Sequence, residues 1–484
     1  MTMYTPDIQS RSGPKYRIIA DAIGDDIRNK TLSAGVKLPT HRDLAYRLGV
    51  TVGTVTRAYG ELQRRGVVGG RVGSGTFVNV TSQSHGVIPA YNDLLHEIVI
   101  RSDNHIPEHH PSDGNIDLAM NRPTPGPETE ALAVTLAELS QADGLKLLTQ
   151  YSPPPGIPHH RAAMASFLET VGLECEANDV VLTSGAQHAM AACALGLLKA
   201  GDTLLTENLT YPGMTSLAAH LGVRVRPVAM DENGMLPDAL ETAVRETGAR
   251  VVYLMPVHQN PTTAVMDMDR LTAIAEIAKR HDLILIEDDV YGFQPQHRNP
   301  PLTQLAPDNA VYITGFAKSI SPGLRVGCMK MPKALFATLT RTVQITGWMT
   351  APLMGEIATR WITSGVAHDI IAWHRTEMIA RNQMAADILQ GFDFTAKPES
   401  LHMWLELPEG HHADDTIREL KQRSVILAGP ESFITPQPTV PRALRLCLGS
   451  APTRDQLRTA LLHVRTVLSA EPIQAQALAN SMVM

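Results

Sequence analysis

The sequence predicts an α/β protein made of an N-terminal winged helix-turn-helix head and a larger body with a largely parallel, seven-stranded sheet. Two short helical patterns separated by a glycine, followed by a glycine-rich pair of strands, indicate the head. Seven apolar runs, several of them separated by helical patterns, indicate a sheet covered by helices on both faces. At 484 residues the chain is too long for one ordinary core, so more than one domain is expected.

We expect four segments along the chain. Residues 1–80 form the head, 81–113 a linker, 114–470 the body and 471–484 a tail. Serine and proline are frequent in the linker, which shows little steady periodicity. Within the body, residues from about 150 to 345 form the large part with the sheet. Residues 114–149 and 346–470, with their long helices and short strands, form a small α+β domain.

Composition is that of a soluble globular protein, since 44% of the residues are hydrophobic and no apolar run approaches the roughly 20 residues of a membrane helix. The first residues lack the apolar core of a secretion signal. The four cysteines lie far apart without a CxxC pair, which indicates reduced thiols rather than disulfides or a zinc site. The histidines His105, His109 and His110 are interpreted as part of a polar linker. We therefore expect a cytoplasmic protein with no membrane partner and no metal site.

Charge is distributed unevenly between the two parts. Residues 1–80 hold 12 Lys and Arg against 6 Asp and Glu, a net charge of +6. The whole chain carries −7, which leaves −13 for the remainder. A basic head on an acidic body favours a polyanion as the partner of the head.

Three helices and a wing make up the predicted head. The first helix runs from Pro14 to Lys30 with an apolar stripe on one face. Thr40 is the predicted N-cap of the second helix, which Gly49 ends. Thr51 caps a third helix that runs to residue 65, and the glycine-rich stretch 67–78 is typical of a two-stranded wing.

Each of the seven predicted strands of the body is short and apolar. Ligands bind at the carboxyl ends of the strands in sheets of this kind, so polar residues at those ends are candidate site residues. The strands are predicted at Val180–Thr183, Thr203–Thr206, Val223–Val228, Val251–Met255, Leu283–Glu287, Val311–Thr314 and Val326–Met331.

Lys318 follows the sixth of these strands, and a Ser-Pro-Gly turn separates it from Arg325. A lysine held in this way can form a Schiff base with an aldehyde cofactor, and the arginine can bind the cofactor's phosphate. Most lysines are solvated surface residues, so this pattern alone is weak. The small residues after the first strand strengthen the case for a cofactor site. They precede a helix predicted over Ala189–Lys199, and the start of a helix favours an anion such as a phosphate.

Two sets of motifs carry a resemblance to known families. Phe316-Ala317-Lys318 with Ser321-Pro322-Gly323-Leu324-Arg325 resembles the lysine segment of fold-type I aminotransferases, which depend on pyridoxal 5′-phosphate (PLP). The strings Leu38-Pro39-Thr40-His41-Arg42-Asp43-Leu44-Ala45 and Gly73-Ser74-Gly75-Thr76-Phe77-Val78 resemble a GntR-type winged helix. Together they resemble the MocR-type regulators of the GntR superfamily over nearly the whole chain. This resemblance implies PLP as cofactor, double-stranded DNA and a small amino effector as partners, and a domain-swapped homodimer.

The resemblance also implies roles for the residues at the strand ends. Lys318 is the Schiff-base lysine and the candidate catalytic residue, and Asp288 keeps the pyridine nitrogen protonated so that the ring acts as an electron sink. Asn260 and Tyr291 bond the phenolic oxygen, and Tyr211 stacks on the ring. The phosphate ligands are Ser184, Gly185, Ala186 and Arg325, joined by Tyr151 from the partner chain.

Two positions depart from the aminotransferase pattern. Thr263 stands where the family usually has glycine, and Gly315 stands where it usually has serine or threonine. The second change removes one phosphate hydroxyl, which predicts weaker PLP binding. Two alternatives stay open near the site: Tyr151 packed on the neighbouring proline turn, and a solvated strand end for the three acids at 287–289.

Arg445 lies in a predicted strand that is otherwise apolar, where an arginine is costly unless it meets an anion. The resemblance makes it the ligand of the effector's α-carboxylate, a bidentate contact that lysine would not reproduce. A structural ion pair is the alternative.

The GntR resemblance places six residues against DNA: Arg42, Thr51, Thr54 and Arg57 on the helices, with Arg71 and Gly75 on the wing. Arginine reads guanine bidentately, whereas threonines mostly hold phosphates. Val52 and Thr56 stand where relatives often carry arginine, which weakens the case for base readout there. A winged helix used for protein contact is the alternative.

Three functions are compatible with these motifs. We favour a PLP-binding transcription regulator whose aminotransferase-like body senses PLP, an amino compound or both through an aldimine. A DNA-reading head has a function that catalysis does not need, and turnover would consume the sensed ligand. The alternative is an active PLP-dependent aminotransferase with a fused DNA-binding head, so the sequence leaves open whether transamination turns over. The third is a regulator whose body has lost the cofactor and serves as a dimer scaffold.

Overall fold

The computed structural model describes residues 4–8, 13–29, 31–32, 36–64, 67–71, 75–78, 114–435 and 440–470. The chain divides into two compact units, Met1–Leu94 and Leu95–Met484, which are considered separately below as head and body. The predicted linker at 81–113, with its histidines, and the predicted tail at 471–484 lie outside the described residues.

The head has the predicted winged helix-turn-helix fold. The Thr40 hydroxyl accepts a hydrogen bond from the Asp43 N–H (3.2 Å) and so caps the second helix, and Gly49 ends that helix in the left-handed conformation (φ 60°). Both caps were predicted. The elements are α1 (Lys15–Arg28), α2 (His41–Leu48), α3 (Val52–Arg64) and the antiparallel pair β1 (Val68–Arg71) and β2 (Gly75–Val78).

Short strands and many helices alternate through the body. A two-residue strand, β3 (Ile116–Asp117), precedes the large sheet. The helices of the body are α4 (Glu128–Ser140), α5 (Pro158–Glu169), α6 (Ala186–Leu197), α7 (Pro212–His220), α8 (Pro237–Thr247), α9 (Met268–His281), α10 (Leu302–Leu305), α11 (Phe336–Gly347), α12 (Pro352–Ser364), α13 (Val366–Ile388), α14 (Ala413–Gln422) and α15 (Arg454–Leu468).

The seven predicted strands form one sheet, as expected. Its strand order is β4-β12-β11-β10-β9-β5-β6; β12 runs antiparallel to both of its neighbours and the remaining pairs are parallel. Every residue of β4, β9, β11 and β12 is buried, as expected for strands with both faces covered. The strands are β4 (Val180–Thr183), β5 (Thr203–Glu207), β6 (Arg224–Val228), β9 (Val251–Leu254), β10 (Ile284–Asp288), β11 (Ala310–Gly315) and β12 (Gly327–Lys330), and a hairpin of β7 (Met230–Asp231) and β8 (Gly234–Met235) follows β6.

The smaller part of the body is built from both the start and the end of the body sequence. β3 pairs in parallel with β15 (Val425–Ile426), and β14 (His402–Glu406) lies between β13 (Phe394–Thr395) and β16 (Ala443–Cys447). The Arg381 guanidinium on α13 is fully buried and donates to the carbonyl oxygens of Leu448 (2.9 Å) and Ala451 (2.7 Å) and to the Thr124 hydroxyl (2.9 Å). Arg381 therefore holds the start and the end of the body together.

All four cysteines are free thiols. Among the described helices, none combines the length and the apolar character needed to cross a membrane.

Candidate functional site

Lys318 lies in the turn that follows β11, at the carboxyl edge of this parallel strand. Its Nζ donates a hydrogen bond to the main-chain carbonyl of Asn121, in the segment between β3 and α4. Burial and the nearby Arg445 cation lower the pKa of the Lys318 amine to about 8, and the Asp288 carboxylate opposes this shift. More of this amine is therefore neutral at pH 7 than in a solvated lysine, as a nucleophile requires.

Asp288 is the last residue of β10 and is 1% exposed. Tyr253 on the adjacent β9 donates its hydroxyl to Oδ2 (2.6 Å), and the Val290 N–H donates to Oδ1 (3.3 Å). Burial raises the pKa of Asp288 to about 6, while the Tyr253 hydrogen bond and the Lys318 cation oppose the rise. The group therefore remains mainly ionised at neutral pH, as a partner of a protonated pyridine nitrogen must be.

The N-terminus of α6 lies against the same strand ends. Gly185 is the N-cap of α6 with φ 84°, and a Cβ on Gly327 of β12 would lie only 2.7 Å from the Gly185 carbonyl carbon. The Arg325 guanidinium lies beside Gly185, and its Nη2 atom is 2.8 Å from the position that a Cβ on Gly185 would occupy. The N–H groups of the helix start, the helix dipole and a guanidinium together suit a phosphate.

Backbone fills the space beside Gly315, where the family usually has a hydroxyl side chain. Gly315 pairs with Gly327, and a Cβ on Gly315 would lie 2.9 Å from the Val326 carbonyl oxygen and 3.4 Å from the Ala186 nitrogen. We expect Gly315→Ser to destabilise the fold by about 1–3 kcal/mol through overpacking, without tightening PLP binding. Thermal unfolding and a PLP titration measure the two effects.

The control for this substitution is Gly323→Ser in the segment that follows β11, because nothing lies within 4 Å of a Cβ at Gly323. Equal losses of stability in the two variants, or tighter PLP binding by Gly315→Ser, would contradict the steric explanation.

Arg445 is buried in β16 (7% exposed). Its Nη1 donates to the Asn260 side-chain oxygen (2.7 Å), its Nη2 donates to the Ala119 carbonyl (2.5 Å), and its guanidinium carbon lies 4.6 Å from the centroid of the Phe433 ring. These contacts are with neutral groups, not with the carboxylate of a structural ion pair. The buried Nε–H has no hydrogen-bond partner in the described part of the chain, so it is available to an anionic ligand.

Two residues of the site, Asn121 and His402, were missed by sequence reasoning. Asn121 Nδ2 donates to the Tyr291 hydroxyl oxygen (2.9 Å) and to Nδ1 of His402 (2.9 Å), and His402 Nε2 donates to the Gln259 carbonyl (3.1 Å). Burial and the Arg445 cation lower the pKa of His402 well below its usual value, which keeps the ring neutral. The Asn121 Oδ1 atom is buried without a partner among the described residues.

The three acids at 287–289 are buried rather than solvated, since each is at most 1% exposed, and they have separate partners. Glu287 accepts hydrogen bonds from the N–H groups of residues 302 and 303 (2.8 Å each), and burial raises its pKa to about 7. Asp289 pairs with Arg298 (2.5 Å) and accepts the Tyr312 hydroxyl (2.7 Å). Of the three acids, Asp288 is the one that interacts electrostatically with Lys318. Its side chain also accepts the hydrogen bond from β9 described above.

Three further predicted cofactor ligands of the body are Tyr211, Ser184 and Tyr151. Tyr211 precedes α7, and its hydroxyl donates to Gln187 Oε1 on α6 (3.0 Å). The Ser184 N–H donates to Nδ1 of His188 (3.2 Å). His188 was not predicted as a site residue from the sequence. Tyr151 takes no part in this network: it is 84% exposed and its ring lies 5.9 Å from the Trp348 ring. Its role on a partner's cofactor stays a prediction.

The predicted DNA-binding residues lie on or beside two helices, α2 and α3, and on the two strands of the wing. Thr51 precedes α3, and its Oγ1 lies 2.9 Å from Oγ1 of Thr54, while Arg57 is exposed one turn further along the same face. The guanidinium carbon of Arg57 lies 5.1 Å from the centroid of the Tyr16 ring. Arg42 is exposed on α2, Arg71 ends β1 and Gly75 begins β2. The DNA contacts themselves stay predictions.

The residues around Lys318 fit PLP. They offer an amine for the aldehyde, a buried carboxylate at Asp288 for the pyridine nitrogen, and the start of α6 with Arg325 for the phosphate. Buried polar atoms without a partner in the described part of the chain occur in the same region at Ser319 Oγ, Asn121 Oδ1 and Arg445 Nε. Such atoms are rare in folded proteins unless a ligand or water satisfies them.

Comparisons with known proteins agree with this geometry. The family described as aminotransferase class I and II matches residues 114–464, and the gntR family of bacterial regulatory proteins matches residues 15–78. YdeF of Bacillus subtilis, described as an uncharacterized HTH-type transcriptional regulator, is 26% identical over 466 residues, which is 96% of this chain and 96% of YdeF.

Two solved structures share the fold of the body. An archaeal alanine:glyoxylate aminotransferase superposes with a TM-score of 0.69 at 23% identity, over 74% of this chain and 91% of that one. LysN, an alpha-aminoadipate aminotransferase of Thermus thermophilus, superposes with a TM-score of 0.68 at 24% identity, over 76% of this chain and 94% of LysN. The chain therefore belongs to the aminotransferase class I and II family, whose cofactor is PLP, and carries a gntR-type winged helix in front of that domain, as MocR-type regulators do.

Proposed function

We propose that this protein is a transcription regulator that binds DNA through its head and responds to PLP, to an amino compound, or to both through its body. The observation that carries the proposal is the fusion of the two domains, with a regulator-like relative that matches almost the full length. The site around Lys318 supports the ligand class, because it combines an amine of lowered pKa with a buried carboxylate and a buried arginine.

PLP, when bound, supplies an aldehyde that captures primary amines and a ring that withdraws electrons. Lys318 would hold the aldehyde end, and the Asn121 carbonyl orients its amine. Asp288 would hold a proton on the pyridine nitrogen. With a pKa of about 8, about a tenth of the Lys318 amine is neutral at pH 7.

An amino-acid effector would then be recognised by its carboxylate at Arg445. A carboxylate that accepts from this guanidinium competes with the Ala119 carbonyl and the Asn260 side chain, which are its present acceptors. Displacing Ala119 would move the segment that also carries Asn121. We propose that this displacement is the signal and that residues 81–113 transmit it, as a population shift between two states of different affinity.

Arg445→Lys should weaken effector binding about 10- to 150-fold, because the two charged hydrogen bonds of a forked guanidinium are each worth roughly 1.5–3 kcal/mol and lysine cannot make both. The measurement is a titration of PLP-loaded protein with a panel of α-amino acids, followed by the visible absorbance of the cofactor. Arg442→Lys is the matched control, since Arg442 is exposed just before β16. Unchanged affinities in Arg445→Lys would remove the carboxylate role from this residue.

An active aminotransferase remains the second candidate, because Lys318, Asp288 and Arg445 are all present at one site. The two functions are separated by incubating the PLP-loaded protein with an amino acid and a keto acid. Many rapid turnovers of keto acid would favour the enzyme, whereas binding without turnover favours the regulator.

The head is proposed to bind double-stranded DNA mainly through phosphate contacts. We assign Arg42 a phosphate contact rather than base readout, so Arg42→Ala should weaken binding to the protein's own promoter region and should lower the slope of log affinity against log salt by about one. Arg17→Ala is the control, because it removes the same charge from an exposed position on α1, outside the helix-turn-helix. Binding that does not depend on salt would contradict the proposal.

We also propose a cytoplasmic homodimer in which Tyr151 of each chain reaches the partner's cofactor. The support is an exposed apolar cluster next to the site: Tyr151 is 84% exposed, Trp348 52% and Ile345 68%. A mass of one 52.6 kDa chain in solution, with PLP bound, would contradict the dimer.

A further inference from the structure

Two histidines and a glutamate converge on one surface of the body, outside the PLP site. His159 and His160 lie in the first turn of α5, and Glu356 lies in the first turn and a half of α12. The Nε2 atoms of the two histidines lie 2.9 and 3.0 Å from the same carboxylate oxygen, Glu356 Oε2. The side chain of His160 is 2% exposed, that of Glu356 is 16% exposed and that of His159 is 59% exposed.

This convergence is unusual for neighbouring residues of a helix. Side chains at positions i and i+1 of a helix do not face each other, yet the two imidazole rings here lie 4.3 Å apart and point the same nitrogen at one atom. Glu356 Oε2 has lone pairs for both N–H donors. The same three atoms are therefore also placed to bind a cation that takes the position of the two protons.

We infer that this cluster, the His–His–Glu site, binds a divalent transition-metal ion of the zinc type. Two imidazole nitrogens and one carboxylate are a known three-residue donor set for zinc, which leaves a fourth position for water. With zinc–ligand distances of about 2.0–2.1 Å and tetrahedral angles, donor atoms lie about 3.3 Å apart. The three donor atoms here lie within 4.8 Å of one another, so only small side-chain movements are needed.

The surroundings of the cluster support a metal of moderate affinity. Arg360 on α12 donates from Nε to the other carboxylate oxygen, Glu356 Oε1 (3.0 Å), which fixes the carboxylate in place as second-sphere partners of metal ligands do. The same guanidinium charge weakens the attraction for a cation. The exposed His159 leaves the fourth position open to solvent.

No local ligand pattern in the sequence predicts this site. Glu356 is 196 residues away from His160, and only the packing of α5 against α12 brings the donors together. A bound ion would link these two helices directly. Because α12 leads through Gly365 into α13, which carries Arg381, the ion would also stiffen the support of the small part of the body.

The test is zinc binding to full-length, tag-free protein that has been treated with a chelator and reloaded with PLP. We expect one zinc ion per chain, measured by metal analysis and by competition with a chromogenic chelator, together with a higher unfolding temperature. His159→Gln and Glu356→Gln should each lower the affinity for zinc at least tenfold. Because neither residue contacts Lys318, the visible absorbance of PLP should be unchanged in both variants.

His220→Gln is the matched control, since His220 is an exposed histidine at the end of α7. The inference is overturned if the chain retains less than stoichiometric zinc, or if His159→Gln binds zinc as tightly as the unaltered protein. It is also overturned if His220→Gln causes the same loss, because zinc would then bind to surface histidines in general.

Discussion

Replacing Lys318 with alanine should give a colourless protein that folds and binds DNA but no longer responds to amino compounds. Lys318 is the one amine at the carboxyl edge of β11 among the described residues, and its pKa of about 8 suits it to covalent capture of an aldehyde. Without it PLP loses its covalent anchor, although the phosphate site at α6 and Arg325 remains. We expect loss of the visible PLP band and at least a hundredfold loss of effector response, since both depend on that bond.

Absorbance spectra, borohydride trapping and DNA binding with and without amino acids measure these effects. Lys333→Ala is the control, because Lys333 is an exposed lysine that follows β12 by three residues. A Lys318→Ala protein that keeps the visible band and can still be trapped by borohydride would assign the anchor to another residue. Loss of DNA binding in Lys318→Ala, with an intact fold, would show that the head depends on the cofactor itself.

Replacing Arg298 with methionine should destabilise the body by about 3–5 kcal/mol, the usual cost of removing one partner from a buried ion pair. The Arg298 and Asp289 side chains are 8% and 0% exposed, and their contact is 2.5 Å. Burial raises the pKa of Asp289, and the Arg298 cation opposes this rise. Without Arg298, the carboxylate would retain the Tyr312 hydroxyl as a side-chain donor but no counter-charge.

Chemical denaturation of PLP-free protein measures the free energy of unfolding. The matched control is Arg280→Met, because the Arg280–Glu241 pair has the same 2.5 Å distance while Arg280 is 54% exposed, so its loss should cost at most about 1 kcal/mol. Adding Asp289→Asn to Arg298→Met should recover part of the stability, since the unpaired charge is then removed. Equal costs for Arg298→Met and Arg280→Met would refute the account based on burial.

The sheet of the body was predictable because its strands are short apolar runs, and periodicity identifies such runs without knowledge of the fold. The seven runs became the seven strands, with bounds that differ by at most one residue at either end. The strand ends then placed Asp288 and Lys318 at one edge of the sheet. The bounds of the helix predicted over Ala189–Lys199 shifted more, because the observed α6 begins at Ala186, directly after its N-cap Gly185, and ends at Leu197.

The partners of the site residues could not be predicted from local patterns. Asn121 contacts Tyr291 and His402 across 170 and 281 residues, and neither Asn121 nor His402 lies at an end of the predicted sheet strands. The acceptors of Arg445 were also unexpected. One arginine in an apolar strand predicts that its guanidinium needs an anion. It does not predict that Ala119 and Asn260 accept the hydrogen bonds of the guanidinium before a ligand binds. These contacts depend on how the small part of the body packs.

The reason for the glycine at position 315 also lay beyond the sequence. The sequence showed the loss of a hydroxyl group, whereas the structure shows that the backbone of β12 and of the start of α6 occupies its place. Gly315 and Gly327 permit this close approach as a pair, and their pairing across two strands appears only once the register is known.

The hydrogen bond between Ala119 and Arg445 spans 326 residues, which has a consequence for protein synthesis. A ribosome that adds about 5–20 residues per second needs roughly 20–70 s to proceed from the head to Arg445. The head can fold early in this interval, whereas the ligand pocket cannot close before its end. Nascent or prematurely terminated chains would therefore carry a folded head without a closed ligand pocket.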